Sequence, residues 1–318
     1  MCLGRVRYLW LIHIGLSSVL SLSVQAQTVP EIGELLFEEN FNHLDTTLWQ
    51  VSEGNGCHQG QDLCGWGNQE LQYYRQDNVG IEDIANEPGN RALVLKAERG
   101  PSGKLPAFYS GKVDSKQGLH LQFGMVEIRM QSPAVKDGLW PAAWMLGANN
   151  KSWPKNGEID IMEMGQHQQA KTMAQHPNAD SNHYVGSNVI FHADAACASD
   201  NPTCAAMTAW QNDNAYVAKH SLAERFVVYR LYWGASHIRF TIVDDGQEHD
   251  MYASPIAIPA DASELLEPFY LIFNLAVGGT FTEAQTAQQV SAPLPAKLLI
   301  DYVRVYQLND AGKVTRLP

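Results

Sequence analysis

The chain has 318 residues, and 34 Asp and Glu against 22 Lys and Arg give it a net charge of −12 at neutral pH. So acidic a surface repels nucleic acid and anionic membranes and argues against both as partners. It suits an uncharged partner, or it serves only to keep the chain in solution.

Residues 1–26 read as an export leader. Arg5 and Arg7 precede an apolar stretch over 8–22, and Ser23-Val24-Gln25-Ala26 ends in small residues suited to signal peptidase. A membrane anchor is the rival, but His13 and several serines interrupt the stretch, which is short of the ~20 residues a span needs. Without the two leader arginines, 20 basic residues face 34 acidic ones, a net charge of −14. The leader predicts a secreted or periplasmic protein, and no later segment approaches a transmembrane length.

Cys2 falls within the leader, and the other four of the five cysteines form two local pairs, Cys57 with Cys64 and Cys197 with Cys204. Each pair brackets six residues of loop-like, Gly/Asn/Asp-rich sequence, which in an exported protein predicts two loop-stapling disulfides. Zinc is the competing use, yet zinc ligand pairs sit closer together and no matching His pair accompanies these.

Strand-like segments follow at 92–97, 125–131, 143–147, 158–164, 189–192, 225–233, 237–243, 269–277 and 298–307. They are rich in Val, Ile, Tyr and Phe and are separated by Gly, Asn, Asp and Pro. Asp244-Asp245-Gly246 signals a hairpin, and 261–266 reads as a single helical turn. The stretch 166–223 reads as a long polar loop with one short strand ending at His192. No linker or internal repeat divides the chain, so the expectation is one all-β domain over 27–318, a sandwich of two antiparallel sheets.

The most informative stretch is Gly157-Glu158-Ile159-Asp160-Ile161-Met162-Glu163-Met164. Acidic residues are depleted in strands, yet three interleave here with Ile and Met. Simple alternation puts Glu158 and Asp160 on one face and Glu163 with the isoleucines on the other, where an unpaired carboxylate is costly. A β-bulge around Ile161–Met162 resolves the conflict by shifting the phase one residue. Glu158 and Glu163 would then share a face about four strand steps apart, ~13 Å between Cα atoms. Leaning side chains can close that to the ~5–5.5 Å of a retaining glycosidase pair. Three crowded acids cannot all ionise cheaply, so one should hold a proton near neutrality. A solvated acidic strand or a calcium-binding edge fits the same spacing.

The run from Trp153-Pro154 through Glu163 closely resembles the active-site signature of glycoside hydrolase family 16, above all of its bacterial laminarinases (endo-β-1,3-glucanases). Further blocks resemble that family in order: residues 37–41, 66–74, 138–146, 274–279 and 301–306. The resemblance implies a concanavalin A-like β-jelly-roll sandwich with a concave glycan-binding cleft and a polysaccharide, β-glucan, as partner to a monomeric enzyme. It assigns Glu158 as nucleophile, Asp160 as the neighbour that modulates its charge, and Glu163 as general acid/base, with no cofactor in the chemistry.

Matching aromatic and polar residues read as sugar contacts: Trp140, Trp144, Trp153, Trp66 and Asn68. By position His192 matches a strand that faces the acid/base. The family's convex-side structural calcium would fall to Glu39, Asp301 and the Gly89 carbonyl, hard oxygen ligands. Three departures stand out: Lys112 after Ser110-Gly111, where the family has Arg, Arg75 after Tyr74, and the unplaced stretch 194–216. Mixed-linkage β-1,3-1,4-glucan is the nearest alternative substrate. A non-catalytic glucan-binding protein is a weaker alternative because both glutamates are kept, and a calcium-dependent lectin is opposed by the Trp-rich flanks.

Overall fold

The computed structural model describes residues 30–193 and 215–318, together with the backbone of 205–207. The leader and the Cys197–Cys204 pair lie outside the described residues. Glu31–Pro318 packs as one unit built from two large sheets, antiparallel but for the pair Gln72–Tyr74 with Phe108–Ser110. One runs, in spatial order, Gln247–Asp250, His237–Asp244, Phe226–Trp233, Gly124–Gln131, Ala296–Leu308 and Arg91–Arg99, with short strands at its edges. The other runs Ala205–Met207, Tyr184–His192, Glu158–Glu163, Leu139–Gly147, Phe269–Val277, Lys112–Asp114 and Gln50–Val51.

Alternation along each strand sends one set of side chains into the space between the sheets. Ala143, Met145, Ile159, Val189, Leu271, Phe273 and Leu275 of the second sheet meet Leu93, Leu95, Ile128, Met130, Leu231 and Phe240 of the first in one continuous core. Trp49, almost fully buried, wedges between Phe41 and Phe273, with ring centroids 5.5 Å from each. Burying apolar surface on both inner faces is what fixes each strand's register, since a slip of one residue would turn the core side chains outward.

The nine predicted strands all form, most of them extended by a residue or more. The Asp245–Gly246 pair joins His237–Asp244 to Gln247–Asp250 with φ of 49° and 76°, the left-handed pair that a two-residue hairpin requires. The predicted helical turn forms as a 3₁₀ turn over Ser263–Leu266. The polar stretch after Gln166 holds more regular structure than expected: a helix over Gln168–Met173 and a nine-residue strand, Tyr184–His192. That strand hides from a hydropathy reading because its outer face carries Gly186, Asn188 and His192, while Val185, Val189 and Phe191 enter the core.

Pro141 sits inside Leu139–Gly147, where a central strand ordinarily rejects proline. Its carbonyl accepts from Met164 N–H, just past the end of the Glu158–Glu163 strand. The donor that proline lacks faces Met164 at the very end of the neighbouring ladder, so the cost is confined to one bond of the last pair.

Phe273→Ala removes a fully buried ring between the sheets and is expected to cost ~3–5 kcal/mol in urea unfolding; a loss below ~1 kcal/mol would contradict the core described here.

Candidate active site

The three acids of Glu158–Glu163 lie on the outer face of the second sheet, and one extra residue puts them there. Glu158 pairs with Leu146, Asp160 with Trp144 and Glu163 with Ala142 of the adjacent strand. Those partners are every second residue, so the acids share a face. The register slips between Asp160 and Glu163 against both neighbouring strands, leaving Ile161 as the unpaired residue of a bulge. Ile159, Ile161 and Met162 all remain in the core. Glycines close the strand at each end. Gly157 has φ 77°, and Gly165 has φ 105° with no room for a Cβ, which would meet the Leu139 carbonyl at 2.3 Å.

Each outer glutamate accepts one indole N–H. Trp153 Nε1 donates to Glu158 Oε2 at 2.9 Å, and Trp140 Nε1 donates to Glu163 Oε1 at 3.0 Å. Asp160 lies between and hydrogen-bonds Glu158. Burial disfavours charge on all three. Burial pushes Glu163 up to about 8, with the Glu158 charge adding to it and the Trp140 bond opposing it. Burial likewise carries Glu158 up to about 7, restrained by the hydrogen bonds from Asp160 and Trp153 and by the Lys112 charge. Asp160 goes well above the usual carboxylate range through burial and the charges of its two neighbours. The proton between Asp160 and Glu158 thus belongs on Asp160, which donates it to an ionised Glu158. A carboxylate beside a proton-holding acid suits nucleophilic attack with proton donation.

A second polar cluster lies on the same outer face. Lys112 pairs with Asn274, itself opposite Ala142, in the row of Glu163. Its Nζ stands 4.1 Å from the Trp66 ring centroid, with the Trp144 and Tyr74 rings at 5.4 and 5.9 Å. Glu70 balances it: the half-buried Glu70 carboxylate accepts from Gln72 at 2.6 Å, Tyr74 at 3.2 Å and Asn68 at 3.3 Å. Burial lowers the Lys112 pKa while Glu70, Asp114 and Glu158 hold it up. Trp144 Nε1 donates to Asn274 Oδ1 at 2.7 Å.

The structure sorts the predicted sugar contacts. Trp153, 43% exposed, offers an open ring beside Glu158. Trp140 is only 8% exposed and stacks on Phe281, so it contributes an N–H more than a platform. Trp66 has Lys112 over one face, and Asn68 faces Glu70. Glu163 pairs with Gly186 and Glu158 with Ile190, so the strand that carries His192 runs beside the acid/base, while His192 itself lies past the Glu158 end. Its backbone N–H donates to Glu264.

The side chains of the calcium candidates are engaged with other partners. Asp301 accepts from Arg129, which also pairs with Glu87, so a guanidinium takes the carboxylate that calcium would need. Glu39 accepts from the Phe41 and Trp49 N–H groups. Among the described residues no group of three His, Cys, Asp or Glu side chains is placed to hold a metal. The Cys57–Cys64 disulfide forms as predicted, in the loop that leads to Trp66.

Sequence reasoning missed Glu70, Asn274 and Phe281 as parts of the site. Glu70 and Asn274 lay within the matching blocks but carried no distinguishing spacing, and Phe281 lies just beyond one.

A family model described as "XgeA-like, catalytic GH16 domain" matches residues 110–304. The Glucan endo-1,3-beta-glucosidase A1 of Niallia circulans is 28% identical over 305 residues, covering 90% of this chain and 40% of the relative. The Beta-glucanase of Rhodothermus marinus is 28% identical over 286 residues, covering 86% of this chain and 85% of the relative. This chain therefore spans less than half the length of the first and most of the second. A solved structure, the mixed linkage glucan locus GH16 protein of Bacteroides ovatus in complex with G4G4G3G product, superposes with a TM-score of 0.66 at 27% identity. That match covers 88% of this chain and all of the other.

Glu163 ionises near 4.5 when unfolded but only at about 8 in the folded site. The folded state therefore holds protons that the unfolded chain releases, and stability is full below about 4.5 and lost as pH rises toward 8. Melting of the unliganded protein should fall across that window, and Glu163→Gln should flatten the fall. An unchanged slope in the variant would contradict a half-buried, proton-holding Glu163.

Proposed function

The chain belongs to glycoside hydrolase family 16, and from that premise we propose that it is a secreted, retaining endo-β-1,3-glucanase of the laminarinase kind. The observation that carries the proposal is the bulge that sets Glu158 and Glu163 on one face of the sheet, each on an indole N–H, with Asp160 between them. The glucan endo-1,3-beta-glucosidase similarity supports the linkage, and the leader motif supports export.

In this mechanism Glu158 attacks the anomeric carbon while Glu163 gives its proton to the leaving glycosidic oxygen. Asp160 keeps its own proton and donates that O–H as a hydrogen bond to Glu158, which holds the nucleophile's negative charge in place until attack. Glu163, now ionised, takes a proton from water, which hydrolyses the glycosyl-enzyme with net retention. Trp153 supplies an exposed ring for a sugar face next to the nucleophile. The Lys112–Glu70 pair with the Trp66 and Tyr74 rings forms a charge-balanced wall suited to neutral sugars rather than sulfated or uronic ones. The protein acts as a monomer without a cofactor.

A second reading, hydrolysis of mixed-linkage β-1,3-1,4-glucan, is favoured by the likeness to the Bacteroides ovatus protein bound to a mixed-linkage product.

Reducing-sugar release from laminarin, lichenan, agarose and xyloglucan separates these. Activity on laminarin, with lichenan weaker and the others inert, is expected; lichenan alone would favour the second reading. Glu158→Ala should lose at least ~10³-fold in turnover, and azide should restore cleavage as a glycosyl azide of inverted configuration. Wild-type turnover in either Glu158→Ala or Glu163→Ala would refute the assigned roles.

A further inference from the structure

Trp140 meets two partners. Its N–H holds Glu163, and its ring lies on Phe281 with centroids 4.3 Å apart and planes only 9° from parallel. Phe281 belongs to the turn after the Phe269–Val277 strand. There the buried Thr282 hydroxyl bonds the carbonyls of Gly279 and Ala284 and accepts the Ala284 N–H. The same turn is tied back to the segment behind the acid: His167 N–H donates to the Phe281 carbonyl at 2.8 Å. Gln166 Nε2 in turn donates to the Glu163 carbonyl at 3.0 Å. Glu163, Gln166, His167, Phe281 and Trp140 therefore close a ring of contacts around the acid.

An indole can point its N–H at a carboxylate over a range of ring tilts. Flat contact with a second ring removes that freedom, because tilting Trp140 would open a gap against Phe281 and forfeit the stacking contact. Glu158, by contrast, is held by Trp153 and Asp160.

We propose that Phe281 is a positioning residue for the acid/base, fixing Glu163 through the Trp140 ring while leaving the nucleophile untouched. The proposal rests on the assignment of Glu163 as acid/base. It distinguishes the two halves of the site, since losing Phe281 should impair proton donation but not attack by Glu158.

The test compares Phe281→Ala, Phe281→Leu and Phe281→Trp on two substrates. Laminarin has a poor leaving group and needs the acid; a 2,4-dinitrophenyl β-glucan oligosaccharide, followed as first-turnover dinitrophenolate release, does not. The Ala and Leu variants should lose about 10- to 100-fold in kcat on laminarin, within the range a positioned general acid supplies, yet release dinitrophenolate within about threefold of wild type. Phe281→Trp, which keeps a flat ring, should return laminarin turnover to within about threefold. Leu retains most of the volume and decides the matter if the Ala variant does not fold. Equal losses on both substrates, or wild-type turnover of laminarin by both Ala and Leu, would overturn the proposal. Glu163→Ala is the control: if it is as slow on the dinitrophenyl substrate as on laminarin, the acid/base assignment itself fails, whatever Phe281 does.

Discussion

One unpaired residue, Ile161, governs the site. A strand with a period of two cannot present residues 158, 160 and 163 on the same face unless an extra residue enters between them. The apolar set imposes the same requirement, because Ile159 and Met162 both belong to the core. Burial of that set on one side and the cost of an unpaired carboxylate in the core on the other select the bulged ladder over the regular one. The same device recurs opposite, where a bulge at Asp301 changes phase between Ile300 and Val303, both buried.

The bulge brings the acids together, and the surroundings give them different work. Burial raises all three, so their differences come from hydrogen bonds and neighbouring charges. Glu158 accepts hydrogen bonds from the Asp160 carboxyl and the Trp153 N–H, both of which favour its charged form. Glu163 receives one N–H and feels the Glu158 charge, which keeps it protonated to higher pH. The chemistry thus follows from the number and kind of donors at each carboxylate. Farther along the face, Lys112 and Glu70 bring a half-buried cation and anion into balance among aromatic rings, so the cleft wall carries little net charge.

Much of this was legible in the sequence because it broke a rule. Three acids in a strand with the wrong phase announced the bulge, and Asp245-Gly246 announced its hairpin. The core strands were legible from apolar alternation. What stayed hidden depends on contacts between distant segments. Pro141 was unreadable as a central-strand residue because the place where its neighbour ends is a tertiary fact. That His192 falls at the Glu158 end of its strand was hidden because strand register cannot be counted across an unassigned segment. Asp301 has the oxygen of a calcium ligand, but Arg129, 172 positions away, takes it. Phe281 has no signature at all; its place against Trp140 comes from a turn that folds back on the segment after Glu163.

The account stands or falls on Glu158 as the residue that bonds to the sugar. The most direct measurement is trapping with a 2-deoxy-2-fluoro β-glucan oligosaccharide bearing a dinitrophenyl leaving group, followed by proteolysis and mass spectrometry. A single glycosyl adduct on the peptide containing Glu158, localised to that side chain by fragmentation, is the predicted result. An adduct on Asp160 or Glu163, or turnover of unmodified glucan with inversion at the anomeric carbon and no adduct, would contradict it.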